Sequence, residues 1–126
     1  MAESILVVKS KAFALRIVKL HQYLRGKKES VMAKQVLRSG TSIGANIAEG
    51  KFAQSKDDFV SKYGIALKEA SETLYWLELL FDAGYLSNAE AALSLRADCE
   101  ELIRMLVASI RTAKPRGNSS CARYRA

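Results

Sequence analysis

The stretch from Arg38 to Gly50 constrains the fold most, because it contains almost no bulky residue and still follows a helical pattern. Apolar or small residues recur at every third or fourth position, which predicts an α-helix with one buried face. These residues are Val36, Gly40, Ile43 and Ile47. Each glycine inside a helix costs about 0.5–1 kcal/mol relative to alanine. Because Gly40 and Gly44 are both present, we expect other helices to approach this helix closely.

A second face of the same helix is polar and carries Ser39, Ser42, Asn46 and Glu49. In a later helical segment, Glu72 lies between apolar residues, where an unpaired charge would be costly. Arg38 can reach a carboxylate with both arms of its guanidinium group. We therefore predict a structural polar network of Arg38, Ser39, Ser42, Asn46, Glu49 and Glu72. In this network Glu72 is largely buried and accepts hydrogen bonds from the other helix. A functional site built from the same residues is the alternative.

The run Arg-Ser-Gly-Thr-Ser-Ile-Gly-Ala-Asn-Ile-Ala-Glu-Gly at 38–50 closely resembles the signature of a bacterial four-helix-bundle family. Members of that family are encoded in intervening sequences of 23S ribosomal RNA. The resemblance continues through Ser-Lys-Asp-Asp-Phe at 55–59 and Ala-Leu-Lys-Glu-Ala-Ser-Glu-Thr at 66–73, and it spans about residues 9–113. Relatives of the family are accessory proteins of diversity-generating retroelements and assemble as rings of five protomers. The resemblance therefore implies a homopentamer and, as a partner, a reverse transcriptase or another nucleic-acid enzyme.

Length and periodicity predict one all-α domain. The chain has 126 residues, which suits a single domain. Four segments have helical periodicity, and no segment alternates with a period of two. The stripes predicted to be buried in the first, third and fourth helices are at positions 13, 17, 20 and 24, at 59, 63, 66, 70, 73, 77 and 80, and at 95, 99, 102, 106 and 110. We predict helices over about 4–24 and 30–50, a third from 55 to a stop at Gly84, and a fourth from 87 to Pro115. Such helices with short loops favour an antiparallel up-down-up-down four-helix bundle over residues 1–113. Residues 114–126 are basic and aperiodic, which predicts a disordered tail.

The connections between these helices contain residues typical of helix ends. Gly26 and Gly50 are expected to follow their helices as left-handed C′ residues. Ser30 is expected to cap the second helix, and Ser87 to open a capping box before the fourth. Phe52, in the loop after Gly50, is expected to pack back over the end of the bundle.

Charge is distributed unevenly along the chain, which has a net charge of +7. Residues 1–28 contain seven basic residues against Glu3, whereas residues 69–101 contain eight acids against Arg96. An up-down-up-down topology brings the start of the first helix, the 51–55 loop and the end of the fourth helix to one positive end. That pattern is typical of a protein that binds nucleic-acid phosphates. The candidates are Lys9, Lys11, Arg16, Lys19, Lys51, Lys56, Arg111, Lys114 and Arg116. Ordinary solvated helix faces are the alternative interpretation.

The residues give little support to catalysis. His21 is the only histidine and has no ligand-spaced Cys or His, so we predict neither a metal site nor a cofactor. Cys99 is expected to be a small core residue. The acidic pairs at 69/72 and 100/101 lack a recognisable acid–base partner. The chain is therefore predicted not to be an enzyme.

The aromatic residues of the third helix have two possible roles. Tyr75, Trp76 and Phe81 can belong to the core, or they can form a stacking platform for bases. The second role normally requires basic residues interleaved with the rings, and these are missing from that segment.

The sequence has neither a signal-peptide pattern nor an apolar run of about 20 residues, so we expect a cytoplasmic protein with no membrane partner. Together these patterns predict a non-catalytic bundle that oligomerises and binds RNA or DNA backbone as an accessory or scaffold factor. The alternative is a purely structural or protein-interaction bundle without a nucleic-acid role.

Overall fold

A computed structural model describes residues 2–114 of the chain, with side chains from residue 5 onward. This part of the chain forms four α-helices and contains no strand. The helices are α1 (Ala2–Gly26), α2 (Val31–Gly50), α3 (Lys56–Asp82) and α4 (Ala89–Ala113). Helix α2 packs on α1 and α3, and α4 packs on α3 and α1, so the four helices form a bundle. The predicted tail, including Arg116, lies outside the described residues, apart from Lys114.

The buried faces of the helices are those that the spacing predicts. In α1, the residues at positions 13, 17, 20 and 24 are buried. In α4, the predicted stripe is buried throughout, and Cys99 is a fully buried free thiol. Burial raises the pKa of the Cys99 thiol to about 12, which is consistent with the predicted core role. In α3, the stripe from Tyr63 to Leu80 is buried, whereas Phe59 at its start is half-buried.

Contacting residues follow opposite numerical orders in neighbouring helices. Gly40 of α2 lies against Ile17 of α1, and Gly44, one turn later in α2, lies against Ser10, which is earlier in α1. The other neighbouring pairs follow the same rule, as in Ser39–Thr73 and Glu49–Lys62, Ala70–Cys99 and Glu78–Arg96, and Lys9–Glu101 and Arg16–Asp98. One end of the bundle therefore contains the beginning of α1, the 51–55 connection and the end of α4.

The end of α1 differs from the prediction. Gly26 is the last helical residue, and Lys28 has the positive φ of 63°. Backbone hydrogen bonds from Lys28 N to Arg25 O and from Glu29 N to Leu24 O, both 3.0 Å, complete a Schellman motif around Lys28. Gly84, after α3, has φ of 86° and stops that helix as predicted.

Helix α2 also begins and ends differently from the prediction. The Ser30 side chain makes no capping hydrogen bond, and the Glu29 carboxylate instead accepts one from Met32 N at 2.6 Å. Gly50 remains within the helix. A Cβ atom at Gly50 would lie 2.7 Å from Tyr63 Cε1, so the close contact between α2 and α3 explains this glycine better than chain reversal does.

The beginnings of α3 and α4 agree only in part with the predictions. Ser55 caps α3 as predicted, because its side chain accepts a hydrogen bond from Asp58 N at 3.0 Å. Before α4, the N-cap is Asn88 instead of Ser87. The Ser87 hydroxyl lies 3.1 Å from the Tyr23 hydroxyl, which joins this loop to the end of α1. The prediction that Phe52 packs over the bundle is wrong, since its side chain is exposed.

Candidate nucleic-acid interface

Two of the predicted basic residues on α1 make ion pairs with acids on α4. Lys9 Nζ donates to Glu101 Oε1 at 3.2 Å, and Arg16 Nη1 donates to Asp98 Oδ2 at 2.6 Å. Arg16 also donates to Ser94 Oγ at 3.1 Å. The acidic segment of α4 therefore neutralises part of the basic α1 within one chain.

Four of the other candidates have exposed side chains near the end formed by the beginning of α1, the 51–55 connection and the end of α4. They are Lys11, Lys51, Lys56 and Arg111. Arg104, one turn past Glu101, is also exposed, and we call these five residues the basic end. None of the five makes an ion pair within residues 5–114. Sequence reasoning missed Arg104, although its position in the last turns of α4 would have indicated it.

The remaining candidates are in other environments. Lys19 is exposed but lies two residues after Ile17, which packs against the middle of α2. Lys114 is half-buried at the C-cap of α4.

The acids near the basic end are few and partly engaged. The Asp58 carboxylate accepts a hydrogen bond from Gln54 N at 3.1 Å. Glu49 is paired with Lys62 at 2.9 Å, and this pair raises the pKa of Lys62. Asp57 is exposed in the first turn of α3, where it complements the helix dipole.

The predicted polar network proves to be a set of separate hydrogen bonds and ion pairs along the α2–α3 contact. Arg38 bridges two carboxylates: it donates through Nη1 to Glu69 Oε1 at 3.2 Å and through Nη2 to Glu72 Oε2. Trp76 Nε1 donates to the same Glu72 oxygen at 2.9 Å. The Arg38–Glu72 contact is confirmed, but the prediction that Glu72 is largely buried is wrong, since its side chain is 37% exposed.

The hydroxyls of Ser39 and Thr73 form the buried part of this contact. Their oxygens are 2.8 Å apart, and both residues are fully buried. Ser42 and Asn46, in contrast, bond to their own helix: the Ser42 hydroxyl donates to Arg38 O at 2.7 Å, and Asn46 Nδ2 donates to Ser42 O at 2.9 Å. The donors predicted for Glu72 are Arg38 or else Ser39, Ser42 and Asn46. The structure shows Arg38, because the Ser42 hydroxyl and the Asn46 amide are within reach of i−4 carbonyls on their own helix.

Ionisation along this contact follows from the same bonds. The hydrogen bonds from Trp76 and Arg38 lower the pKa of Glu72 because they favour the carboxylate. The bond to Glu72 raises the pKa of Arg38, with further contributions from the charges of Glu72 and Glu69. Arg38 and Glu72 are therefore both charged and paired at neutral pH, as expected of a structural contact.

The profile of the 23S rRNA-intervening sequence protein family matches residues 2–108 of this chain. The chain belongs to that family. It is also similar to the crystal structure, at 1.70 Å resolution, of a protein of unknown function from the S23 ribosomal protein family of Bacteroides thetaiotaomicron VPI-5482. The two share 49% sequence identity with a TM-score of 0.85, over 88% of this chain and 99% of that one. No curated protein matches the chain.

Within this family member, the described side chains contain no group of three or more Cys, His, Asp or Glu residues placed to hold a metal ion. No helix among the described residues is long and apolar enough to cross a membrane. The arrangement at the basic end can attract and hold phosphates, because its Lys and Arg side chains are exposed and make no ion pair among residues 5–114.

Proposed function

We propose that this 23S rRNA-intervening sequence protein is a non-catalytic, antiparallel up-down-up-down bundle that binds the phosphate backbone of RNA or DNA through its basic end. The exposure of Lys51, Lys56 and Arg111 at one end, without ion pairs among the described residues, carries the proposal. The inverse order of contacts between neighbouring helices supports the antiparallel topology.

Binding of this kind has little sequence preference. Phosphate contacts position a protein on nucleic acid, whereas base edges carry the sequence information. Lys51 and Lys56 lie on and beside the short 51–55 connection, and Arg111 lies in the last turn of α4, so these cations are spread over different elements. Each neutralised phosphate releases counterions, so the affinity should fall steeply as salt is added.

We also propose that the protein oligomerises through the outer face of α1. This face exposes apolar side chains at helical spacing, which are Ile5, Val8, Leu15 and Val18. A contiguous exposed apolar face is a feature of interaction surfaces. Lys11 and Lys19 project from the same side of the helix, so the surface that meets it should be apolar and acidic.

A surface of that chemistry lies on the other side of the bundle. A cleft of about 300 Å³ between α3 and α4 is lined by Leu77, Glu78, Phe81, Asp82, Ala92, Leu93 and Arg96. Phe81 and Leu93 are exposed there, beside the Asp82 carboxylate. Docking of α1 of one copy into this cleft of the next joins two different surfaces, which generates a closed ring when the rotation permits. The resemblance to ring-forming relatives implies a homopentamer.

The accessory or scaffold role is supported by the resemblance to the accessory proteins of retroelements and by the description of the family as 23S rRNA-intervening sequence proteins. A reverse transcriptase or another nucleic-acid enzyme is the proposed enzyme partner, and the cytoplasm is the proposed location. The exposed α1 face also favours a second candidate, a bundle that binds only proteins.

The test measures binding to generic RNA and duplex DNA by fluorescence anisotropy over a range of salt concentrations. The wild type should bind both, with a log–log slope of about −0.9 for each phosphate contact on duplex DNA. Reversal of Lys51, Lys56 and Arg111 to Glu should abolish binding, since three attractive contacts become repulsive.

The matched control reverses three basic residues at the opposite end, Arg25, Lys27 and Lys28, to Glu. It makes the same change in net charge and should retain binding. A basic-end triple variant that binds as well as the wild type would overturn the proposal. Equal losses in both triple variants would show that net charge matters and position does not. Absence of wild-type binding at low salt would favour the protein-interaction bundle.

A further inference from the structure

Phe52 is the most exposed of the large hydrophobic residues that the structure describes, with 84% of its surface open to solvent. It lies in the connection between α2 and α3, directly after Lys51. Burial of a phenylalanine side chain normally stabilises a fold. The fold forgoes that stabilisation at this position.

Two other aromatic residues occupy the nearby end of the α2–α3 contact. Tyr63 is buried against Gly50, and its ring centroid lies 4.1 Å from that of Phe59. The Phe52 ring lies outside this pair and faces solvent.

The backbone around Phe52 is held by hydrogen bonds on both sides. Phe52 N donates to Glu49 O at 3.0 Å, and Ala53 N donates to Gly50 O at 3.2 Å. On the other side, the Asp58 carboxylate accepts from Gln54 N at 3.1 Å. An ordered turn therefore presents the ring at a defined position.

Two exposed lysines lie near the ring along the chain: Lys51 precedes it, and Lys56 follows at the first residue of α3. Of the acids in the same segment, Glu49 is paired with Lys62, Asp58 accepts a hydrogen bond from Gln54 N, and Asp57 is exposed. Tyr75 is also an exposed aromatic, but its nearest ring is Trp76 and the ionised neighbour of that ring is the Glu72 carboxylate. Of the two sites, only Phe52 combines a free aromatic face with adjacent cations.

We propose that Phe52 is a stacking platform for an unpaired base, with Lys51 and Lys56 holding the phosphates beside it, so that the basic end prefers single-stranded over duplex nucleic acid. Proteins that bind single strands combine aromatic rings with cationic grooves in this way. In a duplex the bases are stacked on one another and offer no free face within the helix. This inference rests on the proposed nucleic-acid binding and adds the class of strand that is bound.

The test compares Phe52→Ala with the wild type on a labelled single strand, as RNA and as DNA, and on the duplex of the same sequence. Single-strand affinity should fall about 5- to 150-fold, since one stacked base contributes ~1–3 kcal/mol. Duplex affinity and both salt slopes should stay unchanged, because no phosphate contact is lost. Phe52→Trp should retain single-strand affinity, and its added indole fluorescence should be quenched on binding.

Two further variants separate stacking from other effects. Phe52→Leu keeps an apolar side chain without a ring and should lose affinity as Phe52→Ala does. Tyr75→Ala removes an exposed ring that has no adjacent lysine partner and should change nothing. Equal single-strand affinity of Phe52→Ala and the wild type would overturn the stacking role while the proposed binding stands. An equal loss on single strand and duplex would also overturn it. A wild type that binds neither strand form would overturn both proposals.

Discussion

Glycines in this bundle have different roles, and their surroundings distinguish them. A Cβ atom at Gly40 would lie 2.8 Å from Ile17 Cγ2, which confirms the close approach predicted for this helix. At Gly44, the nearest atom would be Ser10 O at an ordinary 3.5 Å. At Gly64, within α3, a Cβ atom would meet nothing within 4 Å.

Gly40→Ala should destabilise the protein, whereas Gly64→Ala should stabilise it. Ile17 is fully buried and β-branched, so it moves aside with difficulty, and overpacking costs about 1–3 kcal/mol. Alanine at Gly64 should gain about 0.5–1 kcal/mol, because it restricts the unfolded chain and favours the helix. Urea denaturation at one protein concentration measures both changes. Equal stabilisation by the two substitutions would contradict the α1–α2 contact described here.

At the scale of elements, the α2–α3 contact combines a buried polar pair with an exposed ionic group. The Ser39 and Thr73 hydroxyls satisfy each other within the core. Arg38 lies at the surface, with its side chain 47% exposed, and bridges Glu69 and Glu72. Solvent screens such a bridge, so its removal should cost about 1 kcal/mol or less instead of the 3–5 kcal/mol of a buried pair.

Glu72→Gln should lower stability slightly near neutral pH and make stability less sensitive to acid. The folded state lowers the pKa of Glu72 relative to its ordinary value of 4.5, so the carboxylate stabilises the fold above that value. This contribution is lost as the pH falls through the folded pKa. The wild type and the variant should therefore converge once the pH lies below the folded pKa.

Urea midpoints at neutral pH and over a series of acidic pH values measure this difference. A difference between Glu72→Gln and the wild type that stayed constant with pH would contradict the assigned role of the carboxylate.

At the scale of the whole molecule, folding neutralises part of the charge that the sequence separates into basic and acidic segments. The ion pairs Lys9–Glu101 and Arg16–Asp98 join the basic α1 to the acidic α4 within one chain. Asp82, which lines the α3–α4 cleft, makes no ion pair among residues 5–114 and remains for contacts between copies. The apolar outer face of α1 should therefore supply most of the affinity between copies.

The wild type should elute as an oligomer at micromolar concentration, and replacement of Val8 and Leu15 by Glu should convert it to a folded monomer. Both side chains are exposed, so the substitutions should leave the core intact. Light scattering measures the mass and circular dichroism confirms the helices. Val31→Glu, at an exposed apolar residue at the beginning of α2, is the control and should remain oligomeric. A monomeric wild type would rule out this assembly.

Much of the fold could be predicted from the sequence because helical periodicity is a local property. The spacing of apolar residues was enough to place the four helices, the buried stripes of α1 and α4, and Cys99 in the core. Gly84 was predictable as a helix stop, since few other residues adopt positive φ without strain. The motif at 38–50 was enough to indicate the family.

Only the tertiary structure decided which charges are neutralised and which rings are exposed. Lys9 and Glu101 are 92 residues apart, and their pairing depends on the axial position of α1 along α4, which packing determines. Phe52 faces solvent, whereas Phe59 and Tyr63 occupy the nearby end of the α2–α3 contact. Glu72 stays half-exposed because the helix face that carries it lies at the edge of that contact, beside the exposed Arg38. The spacing of apolar residues specifies which face of a helix is buried. How deeply the side chains of that face are buried depends on how closely the helix backbones approach.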